Sequence, residues 1–407
     1  MTDSRPSSSG DSRWSLAALI ASLGMLGPFA IDAYLPAFGA IGATYDVPPI
    51  AVQQTLSIYL IAYAFMMLWH GALSDAFGRR AVVLGSLVVF AVATFGCAVA
   101  ANLESLLLFR VIQGLSAGAP MVVGRALIRD RYHGAEAQKL MSQVTLIFGI
   151  APAVAPVAGG ILLNLVGWRS IFVLLLVLTL ALIAWSVKAL PETLPRDARQ
   201  PLYPRVMWRN YRNVGTRLDF LLLALIPALN FSGFFLYIAA APRFLVDLIG
   251  VSTYGFAWLF VPMIAGIMLG AVFSGRLAGR LSARRTVEFG FAFAFAGAAL
   301  NFLIIAFVPP SVPWHVLPLF VYSIGSAVIM PSVTLMLLDL FPATRGLAAS
   351  LQGFIHFSIA AVNAGTIAPL LSESLATLAA GMAAFIASSL ALWIAYRRRS
   401  ARPFEGA

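Results

Sequence analysis

The chemistry open to this sequence starts at Asp32, in the stretch Gly24-Met25-Leu26-Gly27-Pro28-Phe29-Ala30-Ile31-Asp32-Ala33-Tyr34-Leu35-Pro36. The surrounding run is apolar and long enough to cross a bilayer. An aspartate at the centre of a membrane helix costs roughly 2.5–3.5 kcal/mol on insertion scales, so its presence marks a functional site by default. What it offers is reversible protonation. A low dielectric favours the neutral acid and a nearby cation favours the carboxylate, so a changing environment loads and releases a proton. The alternative is structural, an ion-paired or helix-capping Asp32 beside Pro28 and Pro36. A second charge, Arg110, sits in Leu108-Phe109-Arg110-Val111-Ile112-Gln113-Gly114. A guanidinium there needs an anionic or carbonyl partner. Asp32 lies six residues before Phe38 and Arg110 six after Glu104, which puts both about 9 Å from the outer boundary of their spans at 1.5 Å per residue. The matched depth makes Asp32 and Arg110 a candidate proton-coupling pair. Arg110 bonded only to backbone carbonyls, or snorkelling outward, is the alternative.

Other polar side chains interrupt the apolar runs. Tyr34, Tyr59, Tyr63, Gln113, Asn230, Tyr237, Tyr322 and His356 are candidate substrate contacts in a mid-membrane cavity. Single polar residues in spans often serve only as interhelical hydrogen bonds. His356 has the intrinsic pKa to titrate near neutrality, or it packs. No cluster of His, Asp or Glu occurs inside the spans, so no metal, cofactor or catalytic group is expected. The two lysines, Lys139 and Lys188, fall at span ends, which disfavours a retinal-type receptor.

These residues need long apolar helices to hold them. Of 407 residues, 60% are hydrophobic and 11% charged, against about 25% charged in a soluble domain. Twelve spans are expected, roughly at Trp14–Phe38, Ile50–Leu73, Ala81–Ala101, Leu103–Ile128, Lys139–Val166, Trp168–Leu190, Leu218–Ala241, Tyr254–Leu277, Val287–Val308, Val316–Leu338, Leu347–Leu371 and Ala376–Tyr396. The organisation predicted is a cytoplasmic tail (1–13), a six-helix bundle (14–190), a polar arginine-rich linker (191–217), a second six-helix bundle (218–396) and a basic tail (397–407). The net charge of +11 comes from Lys and Arg in short loops, not from a patch suited to nucleic acid. All but Arg110, Arg169 and Arg243 of the 27 Lys and Arg fall on or near the side that holds the N-terminus. By the positive-inside rule both termini are cytoplasmic. Cys97 is the single cysteine, so no internal disulfide can form.

The loop after span two reads Gly71-Ala72-Leu73-Ser74-Asp75-Ala76-Phe77-Gly78-Arg79-Arg80. A glycine there allows close helix approach and a tight turn, and Asp75 can pair with a basic residue or cap a helix. The stretch resembles the signature loop of the major facilitator superfamily. A degraded copy, Gly275 to Arg285, follows span eight, with Gly279 where Asp75 would align. Span five carries Ala155-Pro156-Val157-Ala158-Gly159-Gly160, which is similar to the superfamily's antiporter motif except for Ala155 in place of glycine. Within the superfamily, Asp32-Ala33-Tyr34-Leu35-Pro36, Gln53-Gln54-Thr55-Leu56-Ser57, Arg129-Asp130-Arg131-Tyr132 and Gly167-Trp168-Arg169-Ser170-Ile171-Phe172 resemble the bicyclomycin-resistance (Bcr/CflA) drug:proton antiporters.

The resemblance implies an all-α membrane protein whose two six-helix repeats rock about a central cavity. It implies gating at Gly71, Asp75, Gly78, Arg79 and Arg80 and at Pro156, Gly159 and Gly160. The expected function is proton-coupled export of small, largely apolar drugs across the inner membrane by a monomer. A dication would want more carboxylates than Asp32 alone. A proton-coupled metabolite importer and a non-transporting receptor or channel are the rivals.

Overall fold

The computed structural model describes residues 9–132, 140, 144, 151–277, 280–342 and 344–400. Without water to bond peptide groups, a chain crossing a bilayer satisfies them internally, and helices do so within one segment. The first half contains α1 (Ser9–Asp32), a 3-10 turn at Leu35–Ala37, α2 (Phe38–Tyr45), α3 (Pro49–Met67), α4 (His70–Phe77), α5 (Arg79–Ala98), α6 (Leu103–Ala117), α7 (Ala119–Arg131), α8 (Ala151–Leu165) and α9 (Arg169–Ala189). Helix α10 (Pro204–Gly215) follows. The second half contains α11 (Leu218–Ala239), a π turn at Arg243–Leu248, a 3-10 turn at Thr253–Phe256, α12 (Ala257–Leu277), α13 (Ala283–Phe307), α14 (Leu317–Asp339), α15 (Arg345–Val362), a π turn at Asn363–Ile367, α16 (Ala368–Leu371) and α17 (Leu375–Ser400).

Among the described residues eleven helical segments are long and apolar enough to cross a membrane. The fifth span in chain order is described as a continuous helix only from Ala151, as α8. Its expected start at Lys139 lies outside the described residues, as does Gly279 of the degraded loop copy. The first span is longer than expected: helix continues past Phe38 to Tyr45, broken by the turn at Leu35–Ala37. Pro36 sits at the start of that turn, where its missing N–H costs nothing. The fourth span is likewise interrupted, between α6 and α7 at Gly118, just ahead of Pro120. The linker, expected to be merely polar, contains α10. Its Met207, Tyr211 and Val214 face the protein while Arg205, Trp208, Arg209 and Arg212 are exposed.

Large apolar side chains such as Val92, Phe95, Leu303 and Phe307 point outward, as lipid-facing positions must. The halves meet along α3 against α15 and α8 against α12. At the end opposite the termini, α3 is bonded to the second half. Gln53 Nε2 donates to the Ala239 carbonyl (3.1 Å), Gln54 Nε2 to Gly365 (2.8 Å) and Ser57 Oγ to Ala361 (2.9 Å).

Candidate functional site

Asp32 is the last residue of α1, where the first span breaks. It is 6% exposed, and among the described residues its carboxyl accepts no hydrogen bond and forms no ion pair. Behind it the chain is held by close packing. A Cβ on Gly159 of α8 would run into the Ala33 carbonyl, so only glycine lets α8 approach the break. Pro156, inside α8, is buried on the same helix, as is Gly160. The proline-glycine segment of span five therefore bears directly on the backbone next to Asp32.

Arg110 is fully buried in α6. Its Nη1 donates to Gln113 Oε1 (2.7 Å) and to the Ala30 carbonyl (3.2 Å), and its Nε to the Thr55 carbonyl (3.4 Å). The guanidinium lies between two phenol rings, 4.8 Å from the centre of Tyr34 and 4.2 Å from that of Tyr59. Stacking of a cation on aromatic faces in a dry site is favourable by about 2 kcal/mol. The bond to Ala30 puts Arg110 at the depth of Asp32, as the spacing predicts. The direct pairing does not form: the arginine spends its donors on carbonyls and Gln113. Nη2 is left without a partner among the described residues.

Tyr34, Tyr59 and Gln113 are walls of this cage and are fully buried. Tyr34 shares a hydrogen bond with Thr55 (2.5 Å), Tyr59 donates to the Gly27 carbonyl (3.0 Å), and Gln113 donates to Thr94 Oγ1 (2.8 Å). In the second half Tyr322 donates to the Asn230 carbonyl (2.8 Å), and Tyr237 accepts from Asn301 (2.6 Å). These pairs join neighbouring helices, and no open surface reaches Tyr34, Tyr59 or Tyr322 in this state. Tyr63 and His356 differ. Tyr63 lies 4.6 Å from the ring of Phe357, and His356 lies 4.4 Å from Phe231 and 5.3 Å from Phe357. His356 has no hydrogen bond among the described residues. Together these rings bridge the two halves mid-span.

The loop after span two is a charge cluster. Arg79 is buried and pairs with Asp75 (2.5 Å) and with Asp130 of α7 (3.1 Å), and it donates to Ser74 Oγ (2.5 Å). The backbone N–H groups of Arg79 and Arg80 donate to Glu192 (3.0 and 3.3 Å). Gly78 turns the chain at φ +99°, a conformation glycine alone adopts freely. Gly71, by contrast, has open space around its Cβ position, so close approach does not require it. The cluster ties spans two, three and four to the chain after α9. Among the described residues, no side-chain bond of Asp75 reaches the second half.

Sequence reasoning missed Thr94, which holds the cage, and Glu192, which anchors the loop, and it placed Thr55 and Asp130 in family-like stretches without assigning them these roles. It also missed the phenylalanines Phe231 and Phe357. Threonine and phenylalanine carry no distinguishing signal in an apolar run. Asp130 and Glu192 could have been found as the acidic residues nearest an arginine-rich face.

Residues 20–364 match the profile of the Major Facilitator Superfamily. The chain is similar to a bicyclomycin resistance protein homolog of Haemophilus influenzae, 27% identical over 90% of this chain and 92% of that one. It is 30% identical to a chloramphenicol resistance protein of Pseudomonas aeruginosa, over 77% of this chain and 75% of that one. In fold it is similar to the human organic anion transporter MFSD10, with a TM-score of 0.70 at 18% identity over 96% and 100% of the two chains. A D-xylose-proton symporter gives 0.69 at 14% identity over 93% and 97%. With two helical repeats, the signature loop folded around Arg79 and a family match across most of its length, the chain belongs to the major facilitator superfamily of membrane transporters.

Proposed function

We propose that the protein is a proton-coupled antiporter that exports small, largely apolar drugs across the inner membrane by alternating access. The observation that carries this reading is the carboxyl of Asp32, without a partner among the described residues, inside the bundle and at the break of the first span. A carboxyl in that position changes its proton affinity when the helices around it move. Helix α8, in van der Waals contact with the break through Gly159, is the element whose movement reaches it. Arg110 lies at the depth of Asp32, bonded to the Ala30 carbonyl and stacked on Tyr34 and Tyr59, rather than paired with Asp32. The resistance proteins among the relatives support drugs as the substrate class.

In this reading the bodies that rock are residues 14–190 and 218–396, and both termini are cytoplasmic. Asp75, Gly78, Arg79 and Arg80 brace the first body, and Pro156, Gly159 and Gly160 form the hinge. Tyr63 and His356 meet substrate, with Asn230, Tyr237 and Tyr322 behind them. Tyr34, Tyr59 and Gln113 hold Arg110. The protein acts as a monomer, takes no cofactor and performs no covalent chemistry. The test is Asp32→Asn in proteoliposomes with an imposed pH gradient. Substrate binding should persist and uphill transport should stop. If Asp32→Asn still concentrates drug against its gradient, Asp32 is not the proton carrier.

A further inference from the structure

Arg125 falls at the end of the fourth span, where the charge distribution along the sequence groups it with the basic residues of the membrane surface. The structure places it six residues before Arg131, about 9 Å up α7 from the helix end. It lies on the helix face shared with Gly118 and Met121. That face looks into the molecule. Tyr63 donates to Met121 Sδ (4.0 Å), and a Cβ on Gly118 would touch the Tyr63 ring at 3.4 Å. Among the described residues, Tyr63 and Arg129 are ionisable neighbours of Arg125.

The other arginines inside this half are committed: Arg110 to carbonyls and Gln113, Arg79 to Asp75, Asp130 and Ser74. Arg125 is exposed and, among the described residues, makes no hydrogen bond and no ion pair. A cation within a span faces lipid at high cost, and it is retained where it lines a water-filled passage or binds an anion. Arg125 lies on the helix face that Met121 and Gly118, one and two turns back, present to Tyr63. From Tyr63 an aromatic wall runs into the second half through Phe357, His356 and Phe231.

We propose that Arg125 and this wall form a binding site for aromatic compounds that carry one carboxylate or sulfonate. The anion sits on the guanidinium, whose planar fork matches two oxygens of such a group. The ring lies against Tyr63 and Phe357. The site rests on the export reading for its biological use, but binding is measurable without transport.

The experiment compares 1-naphthaleneacetate with its neutral amide on the full-length protein in detergent, by titration calorimetry. The wild type should bind the acid about tenfold more tightly than the amide, the scale of one charge-assisted contact. Arg125→Gln should bind both with the amide's affinity, and Arg125→Lys should keep part of the preference. The unchanged amide affinity shows the variants are folded. Equal affinities in the wild type, a preference retained in Arg125→Gln, or loss of both ligands in both variants overturns the site. Asp32→Asn should leave the acid-to-amide ratio intact. Failure of proton coupling therefore shows in transport alone, and failure of the anion site in this ratio.

Discussion

The hydrogen bonds from α3 to the second half set how firmly the end opposite the termini is closed. Gln54 and Ser57 each donate one bond to a carbonyl across the interface, at 2.8 and 2.9 Å. An intramolecular hydrogen bond of this kind, buried at Ser57 and partly buried at Gln54, contributes about 0.5–1.5 kcal/mol net. Replacing both, in Gln54→Ala/Ser57→Ala, also leaves the Gly365 and Ala361 carbonyls without a donor while that end is shut. Those carbonyls regain water when it opens, so both effects favour opening. The sum is about 1–3 kcal/mol, a shift of roughly 5- to 150-fold in the population open at that end. Spin labels on α2 and on the loop before α12, measured by double electron–electron resonance in nanodiscs, read the distance distribution directly. The double variant should transfer amplitude to a longer distance, and each single variant should transfer less. Gly365→Ala gives an independent check, since its Cβ would press on the Ser57 side chain and wedge the same contact apart. Unchanged distributions in all variants would refute the claim that these bonds hold the closed end.

Three further outcomes follow from the geometry. Gly159→Ala forces α8 away from the Ala33 carbonyl, at a cost of about 1–3 kcal/mol for overpacking. It should lower the melting temperature in detergent and diminish substrate-dependent proton release, whereas Gly71→Ala, with space around it, should do neither. Asp75→Asn breaks an ion pair whose aspartate side chain is 45% exposed and should cost no more than about 1 kcal/mol. Arg79→Ala removes the pairs to both Asp75 and Asp130, leaving Asp130 only the Thr193 hydroxyl among the described residues, and should cost about 1–3 kcal/mol, so equal melting shifts for the two would contradict the assignment of Arg79 as the centre of the cluster. On the linker, Tyr211 donates to the Leu68 carbonyl at 2.8 Å, and Tyr211→Phe should cost about 0.5–1.5 kcal/mol in a melting assay. Burial pushes the Tyr211 phenol up from its ordinary value, with a hydrogen bond to Ser350 pulling the other way. A folded-state pKa raised in this way leaves the contribution intact below about pH 10. It is lost as the pH rises through the higher folded value, and the Phe variant should lack that loss.

Much of the architecture is determined locally. Each span announces itself because about twenty apolar residues in a row have one stable outcome in lipid, a helix. The positions of Asp32 and Arg110 stand out for the same reason, as charges against an apolar background. Gly78 is legible because a loop between two spans needs a residue that tolerates positive φ, and its φ is +99°. Their common depth follows from counting residues along two helices.

What they touch was decided only by tertiary structure. The acceptors for Arg110 are the carbonyls of Ala30 and Thr55, residues 80 and 55 positions away in the chain. A backbone carbonyl is present at every position, so no residue type betrays which one will accept. The rotation of a helix in the bundle is equally hidden in an apolar sequence. It turns Tyr34 and Tyr59 into the walls of a cage, lays Gln54 against Gly365, and turns Arg125 inward to Tyr63. Amphipathic pattern reports helix rotation only where one side meets water. In a membrane both the lipid face and the packed face are apolar, so the packing of small residues against backbone decides it.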